Sequence, residues 1–151
     1  MHVNEQVRDA FETRLLGVTQ ISSVFTNRGP DITDSQLPAA VIGSPSDSVE
    51  LQSKGSSTTR PLERREIEID VVIIADGDSE TLDEDLDDLR ASAEAAIGSD
   101  DDLGGLARDI QHTGADLDMG VDDQGERWYA FLAMTWTVEV WTRKGDPETA
   151  R

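Results

Sequence analysis

"RWYAFLAMTWTVEVWT", residues 127–142, is the stretch that decides the fold. Trp128, Ala130, Leu132, Met134, Trp136, Val138 and Val140 fall on one side of it. Tyr129, Phe131, Thr135, Thr137, Glu139 and Trp141 fall on the other. A period of two sustained this long predicts one long strand with its first face on the core. The aromatics Tyr129, Phe131 and Trp141 on the second face exceed what solvent exposure asks for. That face is expected to cover another layer or to meet a neighbouring subunit.

Working outward, "REIEIDVVIIA" (65–75) alternates Glu66, Glu68 and Asp70 with Ile67, Ile69 and Val71, then turns apolar throughout. It predicts a strand that is wet on one face at its start and buried on both later. Between these strands, "DSETLDEDLDDLR" (78–90) carries seven carboxylates against one arginine. Leu82, Leu86, Leu89, Ala93, Ala96 and Ile97 follow the helical repeat, so the acids form the solvated face of an amphipathic helix ending at Gly98. Thr81 and Glu84 fit a capping box, with Asp78 and Ser79 as competing caps. "SDDDLGGLARDIQHTG" (99–114) predicts a second, shorter helix with Leu103, Leu106 and Ile110 inward, weakened by its glycines. "ADLDMGV" (115–121) starts a strand and "DDQG" (122–125) a turn.

Upstream, Val3, Val7, Ala10, Phe11 and Leu15 predict a helix over 4–16, with Asn4 as its cap and Gly17 at its end. "ISSVFTN" (21–27) and "LPAAVIG" (37–43) read as short strands separated by a turn at "RGPD". Residues 44–65 are rich in Ser, Thr, Gly and Pro. Apart from a strand-like "SVELQ", they read as a long mobile loop or the tip of an extended hairpin. The sum is an α+β domain over 1–142: a mostly antiparallel sheet, two or three helices packed on one face, and a long polar loop or hairpin at about 44–65. Residues 143–151 are expected to be a polar, loose tail.

Acids outnumber bases 32 to 13, for a net charge of -19. Eleven of the bases are Arg, and Asp outnumbers Glu 20 to 12. Sequence-specific nucleic-acid binding or an anionic membrane as partner does not suit this balance. Short hydrated carboxylates with almost no Lys point to a chain adapted to concentrated salt, where a Debye length of roughly 3 Å or less screens self-repulsion. The N-terminus has no apolar leader and no run reaches a membrane span, so the chain is expected to be made inside the cell.

Catalytic motifs are missing. His2 and His112 are the only histidines, and there is no Cys. A zinc site would need carboxylates and one His, and His112 is expected at the surface. The carboxylate-rich loops lack the calcium-loop spacing. No cofactor, metal site or enzymatic activity is expected.

The order of segments resembles the tail terminator proteins of long-tailed viruses, the lambda minor tail protein U type. The resemblance spans nearly the whole chain. It rests on the N-terminal amphipathic helix, the Pro-Ala strand "LPAAVIG", a polar variable loop and "REIEIDVVIIA". The leucine-spaced helix, the short L-x-x-L segment, the T-G-x-x-hydrophobic strand and the closing "LAMTWTVEVWT" complete it. The long acidic helix departs from the pattern. The resemblance implies a structural virion protein. It would form a sixfold ring that caps the tail tube, ends tube growth and joins the tail to a head-completion or neck protein. DNA would only pass through the lumen. The implied place is the head-proximal end of the tail, in a virus of a high-salt host. Ring closure requires two different patches on each subunit. Tyr129, Phe131 and Trp141 are candidates for one, and the loop cations Lys54, Arg60, Arg64 and Arg65 for the other. Salt bridges to Glu63 and Glu66 are the competing role for the arginines. Another neck or head–tail connector protein is the alternative. In a different class stands a small acidic binding module that mimics DNA.

Overall fold

The computed structural model describes residues 1–26 and 31–151. The end of the 21–27 strand and most of the turn expected at 28–31 lie outside the described residues. The elements run α1 (Val3–Leu16), β1 (Ser23–Phe25), a 3-10 turn (Asp34–Gln36), β2 (Ala39–Leu51), β3 (Leu62–Gly77), α2 (Leu82–Gly98), β4 (Asp109–Val121), β5 (Trp128–Arg143) and β6 (Asp146–Ala150).

The long period-two stretches form the centre of the sheet. β3 and β5 pair antiparallel from Leu62↔Arg143 to Gly77↔Trp128. The sheet order is β1-β2-β3-β5-β4, with β6 also on β5. β1 joins β2 in parallel, and every other pairing is antiparallel. Because the pleat alternates, the pairs Ile67↔Val138, Ile69↔Trp136, Val71↔Met134, Ile73↔Leu132 and Ala75↔Ala130 all point to one face, and all are buried.

Both helices cover that face, so the α+β architecture with helices on one side holds. α1 buries Val3, Val7, Phe11 and Leu15 at helical spacing, and Phe11 meets Trp136 edge to face with centroids 5.7 Å apart. α2 buries Leu82, Leu86, Leu89, Ala93 and Ile97 and leaves its acids in solvent. Of the expected caps, Gly17 and Asp78 hold, and Asn4 and Thr81 do not. His2 caps α1, its Nδ1 accepting the Asn4 N–H at 3.1 Å. Thr81 makes no side-chain cap bond; Asp78 Oδ1 instead accepts the N–H of Thr81 and of Glu80, both at 3.0 Å. Those bonds, the Thr81 N–H first and its hydroxyl next, hold the Asp78 carboxyl below its usual pKa.

Three expectations need correction. The second helix over 99–114 is absent. Leu103, Gly104 and Gly105 all have positive φ (50°, 73° and 92°), which no helix tolerates in sequence. Asp100 and Asp102 also accept the Gly104 N–H, at 2.9 and 3.0 Å, in place of helical carbonyls. Leu103 is still buried, but it is carried by a turn, and Ile110 already belongs to β4. Second, β2 does not stop at Gly43. Past a register shift between Gly43 and Ser46 it continues to Leu51, so of the two readings of residues 44–65 the long mobile loop does not hold and the extended hairpin does. Its tip, residues 52–61, is tied down: Lys144 N–H bonds the Pro61 carbonyl and Arg143 bonds the Arg60 carbonyl, both at 2.9 Å. Gly55 at the tip has φ 71°, and a Cβ there would stand 2.5 Å from the Thr59 carbonyl oxygen. Third, the C-terminal tail is not loose. It forms β6, with Glu148 bonding the Met1 amine and its carbonyl accepting from Gln6.

Candidate assembly surfaces

The outer face of the sheet carries the expected aromatics, but they do not form one patch. Tyr129 and Trp141 stand twelve residues apart on β5, about 40 Å of strand. Tyr129 is half-buried, its hydroxyl 3.3 Å from Asp34 and its ring 5.8 Å from the Arg127 guanidinium. Trp141 is also occupied within the chain. Arg108 lies over its ring at 4.2 Å, and its Nε1–H bonds Glu139 at 2.6 Å. Phe131 is the freest of the three, 43 % exposed beside Ile74 and Asp118. Arg108 lies far from Trp141 in the sequence, whereas Arg127 stands two residues before Tyr129, the same-face spacing of a strand, which is the signal for that pair.

The loop cations divide into two groups. Arg64 and Arg65 sit on β3 inside ion-pair clusters. Arg64 meets Glu66, Glu50 at 3.5 Å and Glu139 at 3.6 Å. Arg65 meets Asp47 and Glu63, both at 3.5 Å, and its Nε donates to the buried Thr142 hydroxyl at 3.2 Å. These arginines knit β2, β3 and β5 together. Lys54 and Arg60 sit exposed at the hairpin tip and enter no ion pair among the described residues.

His112 is not a bare surface residue. Its ring stacks on Trp136 at 4.6 Å. Nδ1 lies 3.0 Å from the Thr135 carbonyl, and Nε2 lies 2.8 Å from Glu94, which Arg90 also holds at 2.9 Å. The cluster clamps α2 onto β4 at the register shift between His112 and Gly114.

Two further surfaces emerge at the sheet edges. β4 is an edge strand whose helix-side residues from Ala115 to Val121 are apolar, with Asp116 and Asp118 on the outer side. The two-helix layer does not reach it fully, so Leu117 is 50 % and Val121 47 % exposed. At the far edge, among the described residues, β1 covers β2 at residues 39–41. Beyond that, Val49 and Leu51 are 49 % and 55 % exposed on the same helix side. The alternation in "ADLDMGV" and "SVELQ" was visible in the sequence, but which strands lie at edges was not.

Among the described residues no group of three or more His, Asp or Glu is arranged to hold a metal ion. No helix among them is long and apolar enough to cross a membrane. Asp70, on the outer face beside Thr135, has its pKa raised by burial, against the opposing hydrogen bond from the Thr135 hydroxyl at 3.2 Å.

No protein-family model matches the chain, and no curated relative does. Among solved structures, a chain from the virion of a native gene transfer agent particle aligns over 91 % of this chain and 92 % of its own length, at 15 % identity and a TM-score of 0.29.

Proposed function

We propose that the chain is a structural virion subunit of the tail terminator kind. In this reading six copies close a ring on the last layer of a tail tube, end its growth and present a surface to a head-completion or neck protein. No catalytic step is assigned to it, and DNA is a passenger through the lumen. An acidic lumen repels the phosphate backbone and keeps it from sticking. The assembly works in concentrated salt, where the charge of -19 is screened.

The observation that supports this reading is a sheet left open at two unlike edges, with uncovered apolar residues at each. Two different patches on one subunit favour a heterologous contact, and such contacts close into rings when the rotation allows. The test is to purify the chain in concentrated KCl and measure its mass and rotational order. A closed sixfold ring supports the reading. A twelvefold ring moves the chain to the connectors, and a stable monomer that binds basic proteins moves it to the acidic binding modules. Phe131→Ser should leave folding intact and weaken docking of the ring on its tube, since Phe131 is the exposed aromatic.

A further inference from the structure

We infer that the outer half of β2 in one copy pairs antiparallel with β4 of the next copy, so that the sheets of neighbouring subunits become continuous. The inference rests on the ring reading and names the contact that builds it.

Strand direction permits it. β2–β3, β3–β5 and β5–β4 are each antiparallel, so β2 and β4 run in opposite senses at the two borders of one sheet. Rotation about an axis tilted from the strands therefore brings a β4 edge against a β2 edge in antiparallel sense.

The faces match as well. Asp47, Val49 and Leu51 of β2 register with Ile67, Arg65 and Glu63 and so lie on the helix side. Ala115, Leu117, Met119 and Val121 register with Met134, Leu132, Ala130 and Trp128, also on the helix side. Continuing one sheet into the next places Val49 and Leu51 beside Leu117, Met119 and Val121. That covers the apolar residues both edges leave in water.

The available lengths match too. Edge strands that must stay single are usually blunted by Lys, Pro or a bulge. β2 is blunted at Pro45 and the Gly43–Ser46 irregularity, which leaves residues 47–51 competent to pair. β4 is irregular between His112 and Gly114, but residues 114–121 carry neither Lys nor Pro.

With Leu51 opposite Leu117, Glu50 faces Asp118, a like-charge contact that concentrated salt screens. The exposed Lys54 and Arg60, which enter no ion pair among the described residues, follow residues 47–51 toward the Asp116 end of the other edge. Within one copy, residues 47–51 and 114–121 lie toward opposite ends of the sheet, so joining them staggers the subunits. Stagger and strand tilt are what closure of a sheet into a barrel requires. The occupant is a second copy, because the chain itself offers the complementary edge.

The absence of Cys makes the test direct. Leu51→Cys, Leu117→Cys and the double variant are each assembled in concentrated KCl and treated with a short bis-maleimide. The double variant should give a covalent ladder extending to the full ring, and each single variant should stay monomeric on a denaturing gel. Dimers from Leu117→Cys alone would mean that β4 pairs with itself and would overturn the inference. Assembled particles without cross-links in the double variant would overturn it and leave the ring reading standing. A chain that stays monomeric in concentrated salt would end both. Should the cysteine variants misfold, amide hydrogen exchange on the unmodified chain decides. Residues 115–121 should become slow on assembly relative to dilute monomer in the same salt, and unchanged exchange there overturns the pairing.

Discussion

His112 and Phe11 reach the same indole from different elements: Trp136 stacks with His112 at 4.6 Å and receives Phe11 edge-on at 5.7 Å. Through this side chain β5 adds a contact to α1 and another to the edge strand β4, which also pairs with β5 along Asp109–Val121. Trp136 is 3 % exposed. Trp136→Ala should cost about 3–5 kcal/mol by cavity formation. His112→Ala should cost about 1–2 kcal/mol, from the lost stack and the half-exposed Glu94 pair. Urea denaturation measures both, and a negligible loss for His112→Ala would show that the stack is not the link to β4.

The candidate cations should separate by mutation. The Arg65 side chain is 13 % exposed and holds Glu63, Asp47 and the Thr142 hydroxyl. Arg65→Ala strands these partners and should cost about 2 kcal/mol or more. Lys54→Ala should change folding stability by less than about 0.5 kcal/mol, while weakening assembly. Denaturation midpoints and sedimentation of the same samples check the contrast.

Asp70 gives a pH signature. Burial raises its folded-state pKa above 3.8, so the native chain holds this proton more tightly than the unfolded chain does. Its contribution to stability is therefore fully present below pH 3.8 and is lost as pH rises through the folded value. Asp70→Asn keeps an oxygen for the Thr135 hydroxyl and removes the charge. It should raise stability at neutral pH by under about 1 kcal/mol, because the carboxyl is still largely solvated, with no gain below pH 3.8. Melting curves at pH 7 and pH 3.5 are the comparison, and a gain at both would point to a cause other than titration.

Salt should stabilise the chain strongly. Its net charge of -19 includes the acid-lined first turns of α2. Raising the salt from about 0.01 M to 1 M shortens the Debye length from about 30 Å to 3 Å. The melting temperature in KCl should climb over that range, and a flat or falling profile would remove the halophilic interpretation of the composition.

The parts of the fold that were legible in the sequence are those where one periodicity runs long. β5, α1 and α2 each carry a repeat that matches their buried face, and β3 does up to Val71; past it the unbroken apolar run predicts burial on both faces, whereas Val72 and Ile74 on the outer face are only partly buried. Elsewhere a local pattern met a competing constraint. Leu103, Leu106 and Ile110 have helical spacing, yet three successive positive-φ residues and two side-chain carboxylates break the helix before it forms. β2 beyond Gly43 has loop-like composition, and its strand state comes from partners distant in sequence: Ser46 on Glu68 at 2.7 Å and Asp47 on Arg65 at 3.5 Å. β6 likewise exists through pairing with β5 and contact with Met1 and Gln6. Of the candidate surfaces, the sequence placed Tyr129, Phe131 and Trp141 on one face correctly. It missed that Arg108 and Asp34 already engage two of them. The sheet edges were hidden because strand order is a tertiary property.

The most direct test of the account is electron-microscopic averaging of the purified chain in concentrated KCl. The account predicts a closed ring of six copies. A monodisperse monomer, or a ring of any other order, would contradict it.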